Sequence, residues 1–378
     1  MSESHSPDTP SRRSRDVRLL ATTNPGLEFV ARDEVRDLVG VDAERRYRGA
    51  IAFDADASAV PRLNRRARSL HRVLAVLRDR TVPDVGLDDT YDLTRSAGVE
   101  EWVAPEQSIA VRPTRHGEHA FTSPEVGERV GQAVVDACRA AGERPTVDLD
   151  DPDVVFRAFV RDEDVLLAVD TTGERSLHRR PYRVREHDAP LRPTIAWSMV
   201  ALAGFEAGDT LLDPTCGSAT VPTEAALDVL DRPPSPGRSY DFERLPPFAD
   251  VTPPDPGGRD RLPPGTAVEG REVDADRVAD ARANVAAADL EDVVSVRRAD
   301  ATRAAIGADR VVTNLPFGHR TDGDLVGLYR DLSRRIDESD ASTVVALTVR
   351  PELLDLSVDR TVDVRIGRLE ATVVVVER

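Results

Sequence analysis

The sequence predicts an α/β protein whose C-terminal half is a seven-stranded Rossmann-like sheet ending in an antiparallel hairpin, preceded by two smaller α+β units. Three observations carry this. Short apolar strands alternate with helices or crossover segments from Thr210 onward. The last two strands are joined by only a few residues around Gly367, which demands an antiparallel turn. The first 173 residues instead mix strand-like and helix-like runs without the steady alternation of a parallel sheet.

Residues 1–16 are rich in Ser, Pro and Arg and are expected to form a disordered tail. Over 17–80, strands are expected at 18–22, 50–53 and 72–78, with helices at 26–38 and 59–68. Over 81–173, strands are expected at 108–112, 146–149, 154–160 and 165–170, with a helix at 124–141. The C-terminal unit, 174–378, opens on a short buried strand at 210–213 (TLLD) and a helix at 219–230. A strand at 268–273 leads to 276–288, which is alanine-rich and helical in period. Strands at 293–297, 310–314 and 343–349 follow, with a helix over 324–336, and 361–366 and 371–376 form the hairpin. Within this unit, 232–265 holds most of a proline cluster that no regular element survives, and is expected to be a long surface insertion.

The 378-residue chain carries 51 basic and 68 acidic residues, a net charge of −17, and every basic residue is arginine. Arginine in place of lysine follows from a GC-rich genome; an excess of carboxylates, with 44 Asp against 24 Glu, does not. It suits concentrated salt, where the Debye length shrinks to about 3 Å at 1 M and carboxylates keep the surface hydrated. A halophilic, archaeal, cytoplasmic protein is expected. No apolar run approaches the ~18 residues of a membrane span, and the first residues lack the apolar core of a secretory signal. Two cysteines, Cys138 and Cys216, make neither a disulfide framework nor a four-ligand zinc site, and no metal is expected.

Basic charge is local. Residues 1–80 hold 16 arginines against 12 acids, whereas 81–173 sum to −12 and 174–378 to −9. Arg62, Arg65 and Arg66 stand in one arginine run, and Arg179, Arg180 and Arg183 in a second just before the C-terminal unit. Basic stripes are what phosphate contacts need, so these six are the expected contacts to a nucleic acid.

The strongest chemical signal is Asp213-Pro-Thr215-Cys216-Gly217-Ser218-Ala219-Thr220, directly after a strand and before a helix. Small residues let the chain turn tightly and a ligand lie against amides at the helix N-terminus. A phosphate loop needs a lysine, which the chain lacks, and a dinucleotide fingerprint needs GxGxxG, of which only Gly217 is present. An adenosine-containing cofactor without phosphates fits. The second strand ends at Glu272 and Asp274, where a carboxylate accepts ribose hydroxyls. The third ends at Asp300-Ala301, placed to accept from an adenine amino group, and the fourth at Asn314-Leu315-Pro316-Phe317-Gly318. All four lie at carboxyl ends of strands, in order.

These motifs resemble those of the Rossmann-fold RNA methylase family. Residues 213–220 resemble its DPxCGSGT loop, 314–318 its [DN]-x-P-[YF]-G catalytic motif, and His178–Arg183 through Ala189–Thr194 its lead-in to the catalytic domain. Thr23-Asn-Pro-Gly-Leu-Glu28 resembles the start of members that carry a ferredoxin-like domain and a THUMP domain, assigned here to 17–80 and 81–173. The resemblance implies S-adenosylmethionine as cofactor, held by Asp213, Thr215 to Thr220, Glu272, Asp274, Asp300, Ala301 and Asn314. It implies methyl transfer to the exocyclic N2 of guanine in tRNA, with Asn314 and the Leu315 carbonyl accepting from the amino group, Pro316 fixing the turn and Phe317 stacking on a flipped base. The Asn-Leu-Pro-Phe form points to the acceptor stem, position 6. The alternatives are N2 (di)methylation at a guanosine-10-type site, an rRNA guanine, and a non-catalytic RNA-binding protein. An N6-adenine DNA methyltransferase shares the Asn-x-Pro-Phe motif but not the N-terminal domains. One departure bears on the cofactor: Ala219 stands where the family has a second glycine, adding a methyl to the loop.

Overall fold

The computed structural model describes residues 16–186, 191–253, 257–317 and 325–378. Most of the expected tail, part of the lead-in segment (187–190) and Gly318 lie outside the described residues. Asp16, assigned to the tail, already belongs to the first strand.

The N-terminal body contains β1 (Asp16–Thr23), α1 (Glu28–Val39), β2 (Glu44–Tyr47), β3 (Ala50–Asp56), α2 (Ala59–Arg66) and β4 (Leu70–Thr81). It continues with α3 (Leu87–Arg95), β5 (Ser108–His116), α4 (Ser123–Ala140), β6 (Thr146–Val147), β7 (Val154–Arg161) and β8 (Asp164–Asp170). The two α+β units form one eight-stranded sheet, in the order β2-β3-β1-β4-β8-β7-β5-β6. The bridge is β4: its first half pairs with β1, and its second half, Leu74 to Thr81, pairs antiparallel with β8. The last four residues of β4 (Arg78-Asp-Arg-Thr81) are exposed, which hides the strand's full length from an apolar pattern.

The C-terminal body contains α5 (Pro193–Leu202), β9 (Thr210–Asp213), α6 (Thr220–Val229), β10 (Ala267–Glu272), α7 (Ala275–Ala287) and β11 (Val294–Arg298). It ends with β12 (Arg310–Asn314), α8 (Leu325–Asp337), β13 (Thr343–Thr348), β14 (Arg360–Ile366) and β15 (Leu369–Glu377). The strand order is β11-β10-β9-β12-β13-β15-β14. All pairs through β13 are parallel, and β15 runs antiparallel to both β13 and β14, giving the expected hairpin. The order reverses between β9 and β12, and a doubly wound sheet binds its ligand at the carboxyl ends flanking such a reversal.

The two bodies interlock. Leu27 and Val30 of the N-terminal body are buried in the C-terminal core beside Ile195, Val364 and Val373. Asn24 Nδ2 donates to Thr194 Oγ1 at 2.9 Å, and the Arg365 amide donates to the Pro25 carbonyl at 3.2 Å. Gly26 sits at φ 99° so close to β14 that a Cβ there meets the Asp363 carbonyl oxygen at 2.0 Å; only glycine permits this contact.

The proline-rich segment departs from expectation. It is not a surface insertion over its middle part: Tyr240, Phe242, Leu245 and Phe248 are buried in the core of the N-terminal body. The Phe242 amide donates to the Thr171 carbonyl at 3.0 Å, and Phe248 stacks edge-on against Trp102. Proline density excluded long helices and strands, as expected, but two short 3-10 turns (Asp241–Arg244 and Pro246–Phe248) present the aromatic residues.

Candidate active site

The loop from Asp213 to Ala219 joins β9 to α6, and it is held from both sides. The Cys216 amide donates to the Arg271 carbonyl at 2.8 Å, and the Gly217 amide to Glu272 Oε2 at 3.1 Å. Glu272 Oε1 accepts from the amides of Val273 (2.9 Å) and Asp274 (3.1 Å), so this buried carboxylate is fixed at the end of β10 against the loop. Gly217 (φ 52°) and Ala219 (φ 61°) are both left-handed, and a Cβ on Gly217 meets nothing within 4 Å, leaving the loop's outer face open to a ligand. The Ala219 methyl, by contrast, is wholly buried in the core of the C-terminal body. It does not stand between backbone and ligand.

Asp213 closes the floor. Its Oδ1 accepts from the Thr215 amide (3.1 Å) and from Thr313 Oγ1 (2.8 Å), and burial pushes its carboxyl up to about 7. Thr215 Oγ1 lies 2.7 Å from Thr313 Oγ1 and donates to the Asn314 carbonyl at 3.2 Å. The ends of β9 and β12, which carry the cofactor loop and the Asn-Leu-Pro-Phe motif, are thereby tied together.

Asn314 has the telling feature. Its side-chain Oδ1 is buried and has no hydrogen-bond partner among the described residues. Buried amide oxygens are nearly always paired, so an orphan acceptor at the carboxyl end of the central strands marks a place for a donor brought by a ligand. The turn after it is held by the Leu315 amide donating to the Leu347 carbonyl (2.9 Å) and the Tyr329 hydroxyl donating to the Pro316 carbonyl (3.0 Å). The same hydroxyl lies 2.7 Å from Thr348 Oγ1. Phe317 is half-buried against the C-terminal core.

The remaining carboxylates are placed less simply. Asp274 caps α7, accepting from the amides of Asp276 (2.8 Å) and Arg277 (3.2 Å), which hold its carboxyl below the usual range. Glu272, not Asp274, is the carboxylate joined to the loop. Asp300 accepts from the Thr302 hydroxyl (2.6 Å) and amide (2.9 Å), the larger cause of its lowered carboxyl, and Ala301 beside it is buried. Cys216 is buried beneath Gly270, and burial raises its thiol well above the ordinary value, so it is no nucleophile. Ser218 and Thr220 are buried at the start of α6, with hydroxyls 3.4 Å apart.

Of the six arginines expected at a nucleic acid, Arg180 is corrected outright. Arg180 and Glu224 of α6 are paired at 3.1 Å with both side chains fully buried, and the Tyr182 hydroxyl donates to the same carboxylate at 2.9 Å. Arg65 pairs with Glu243 at 2.8 Å and Arg66 with Asp231, so α2 uses them to hold the proline-rich segment and the residue just before it. Arg62 donates to the Leu38 carbonyl at 3.0 Å while staying exposed. Carboxylates distant in sequence took the guanidiniums of Arg65, Arg66 and Arg180, which no local stripe could reveal. Arg179 remains exposed, and Arg183 lines a cleft described below. Glu224, Tyr329 and Asn284 were not anticipated. The signal for Glu224 was a lone carboxylate in an otherwise apolar stretch, VPTEAAL.

A model of the RMKL-like methyltransferase domain matches residues 180–368, a THUMP domain model 86–170, and a model of the RlmL ferredoxin-like domain 18–74. The tRNA (guanine(6)-N2)-methyltransferase of Archaeoglobus fulgidus is 35% identical over 85% of this chain and 80% of its own length. That of Methanocaldococcus jannaschii is 39% identical over 56% of each chain. Bacterial rRNA large subunit methyltransferase K/L, as in Pseudoalteromonas translucida, is 28% identical, and the match spans 46% of that longer protein. Among solved structures, TrmN from Thermus thermophilus superposes with a TM-score of 0.73 at 28% identity, over 96% of this chain and all of that one. A doubly wound sheet with an antiparallel strand inserted between its last two, a tight loop after its first strand and an acidic second-strand end is that of a class I methyltransferase. The chain belongs to the THUMP-bearing, RMKL-like family of these enzymes, whose methyl donor is S-adenosylmethionine. Among the described residues, no helix is long and apolar enough to cross a membrane.

Proposed function

We propose that this chain methylates the exocyclic N2 of a guanine in tRNA, at position 6 of the acceptor stem. The observation that carries the reading is the orphan acceptor of Asn314, supported by the two archaeal relatives named for that reaction. The domain division follows the sequence: 17–80 and 81–173 grip RNA, and 174–378 holds cofactor and target base. S-adenosylmethionine would lie against the loop at the open face of Gly217, with Glu272 at its ribose and Asp300-Ala301 near its adenine. When bound, it supplies a methyl on a positively charged sulfur that leaves as a neutral thioether. The chain's part is positioning. Asn314 Oδ1 and the Leu315 carbonyl accept hydrogen bonds from the two amino hydrogens and turn the nitrogen lone pair toward the methyl, while Phe317 stacks on the base; the methylated nitrogen, cationic once the bond forms, then releases one proton to solvent. Tyr329 and Leu347 hold this turn rigid, so the acceptors are already aimed before RNA arrives.

The test is methyl transfer from labelled donor to unmodified tRNA transcripts with guanosine or adenosine at position 6. Incorporation that vanishes with adenosine 6 supports the assignment. Equal incorporation into both would move the target to another guanosine, and incorporation into rRNA alone would move the substrate.

A further inference from the structure

We propose that the cleft between the N-terminal sheet, the lead-in segment and the proline-rich segment holds the sugar–phosphate backbone of the RNA substrate, with Arg183 as its buried phosphate anchor. The proposal rests on the RNA reading above and adds where the strand runs.

The cleft is about 1500 Å³, larger than the roughly 300–1,000 Å³ of a small-molecule pocket. Nine arginines and seven carboxylates line it, in a chain where acids outnumber arginines 68 to 51. Several of those carboxylates are already committed. Asp170, almost wholly buried, sits between Arg72 at 2.6 Å and Arg157 at 2.8 Å, and Asp241 is held by Arg244 at 2.7 Å. Arg238 builds the wall: it donates to the carbonyls of Thr172 and Ser176 and lies over the Tyr240 ring at 5.0 Å.

Arg183 is different. Its side chain is only 8% exposed, yet its Nε and Nη2 have no hydrogen-bond partner among the described residues. Glu186, itself partly exposed, forms an ion pair with Nε at 3.2 Å but not a hydrogen bond, so the donors of Nε and Nη2 stay open. Burying guanidinium donors unpaired is costly, and a phosphate presents the pair of oxygens that matches the planar fork. Arg179, nearby in sequence, is exposed, and its side chain makes no hydrogen bond or ion pair among the described residues. The anchor is also registered to the cofactor loop. Asn284 accepts from the Arg185 amide (2.8 Å) and donates to the carbonyls of Arg185 (2.9 Å) and Ser218 (3.1 Å). A strand held at Arg183 is thereby fixed relative to the site of transfer.

The test uses the full chain, an unmodified tRNA transcript and filter binding over a series of KCl concentrations. S-adenosylhomocysteine affinity and melting temperature are measured in parallel. Arg183→Gln is expected to weaken RNA binding about tenfold and to lower the slope of log affinity against log salt by about 1, with cofactor-product affinity unchanged. Arg183→Lys should recover part of the affinity, keeping charge but losing the fork. Arg179→Glu, at an exposed position whose side chain makes no hydrogen bond or ion pair among the described residues, should weaken binding without lowering the melting temperature, so the proposal stays testable even if position 183 is needed for folding. Wild-type affinity in both Arg183→Gln and Arg179→Glu overturns the cleft. Failure of the wild type to bind either tRNA or rRNA overturns the RNA reading itself.

Discussion

At the scale of single residues, the site is defined by what its side chains leave undone. Asn314 keeps an acceptor unpaired among the described residues while the turn after it is braced at Leu315 and Pro316, which separates a reactive position from a structural one. Ala219 is the converse case. Left-handed geometry at a residue with a Cβ costs about 1–2 kcal/mol, but a buried methyl returns about 0.8 kcal/mol and spares the unfolded-state entropy of glycine. Ala219→Gly should therefore change stability by no more than about 1 kcal/mol in urea unfolding and leave the dissociation constant of S-adenosylhomocysteine within about threefold. A tenfold tightening would mean that the methyl intrudes on the ligand. The positions of Asp213, Glu272 and Asn314 were legible because strand ends and turn residues are local signals. The distinction between Glu272 and Asp274 was not, because it depends on which carboxylate meets the Gly217 amide across the sheet.

At the scale of elements, α6 is the member that both halves share. It begins at the cofactor loop, its Glu224 receives Arg180 and Tyr182 from the lead-in segment, and Arg68 of the N-terminal body donates to its Leu227 carbonyl at 2.9 Å. Removing one member of a buried ion pair leaves an uncompensated charge, typically 3–5 kcal/mol, whereas replacing both with apolar groups is often neutral. Arg180→Met is expected to destabilise by about that amount, and the double variant Arg180→Met/Glu224→Leu to recover most of it. A single-variant cost below about 1 kcal/mol would remove this pair from the account. The alternation of strands and amphipathic helices was readable along the chain. Helix α5 was not recognised, because Pro193 to Val200 is buried on all sides and so carries no amphipathic period. The role of the proline-rich segment was equally hidden, since Tyr240, Phe242 and Phe248 find their core in the other body.

For the whole molecule, the junction between bodies carries a pH dependence. His71 and His178 lie edge-to-face with ring centroids 5.1 Å apart, and His71 Nε2 is 3.1 Å from Asn24 Oδ1 and 3.2 Å from Thr194 Oγ1. Burial first, then each other's company and that of Arg192, lowers His71 to about 3; burial and the surrounding arginines lower His178 to about 4. The unfolded chain binds protons there near pH 6.5 and the folded chain does not, so their stabilisation is present above pH 6.5 and is lost as pH falls toward 4 and then 3. Urea midpoints should fall between pH 6.5 and 4, and His178→Gln should flatten that fall. The opposing contribution of Asp213, lost as pH rises from about 4 through 7, is common to both proteins and cancels in the comparison. An equally steep fall in the variant would place the acid sensitivity elsewhere. In the proposed reaction all three scales meet: an RNA-gripping body, locked to a cofactor-binding sheet, would present guanine N2 to Asn314. Nucleoside mass spectrometry of tRNA tests it most directly, in a deletion strain complemented with wild type or with Asn314→Ala. N2-methylguanosine is expected to be missing from acceptor-stem fragments of the deletion strain, to return with wild type and to stay absent with Asn314→Ala. Full restoration by Asn314→Ala would contradict it.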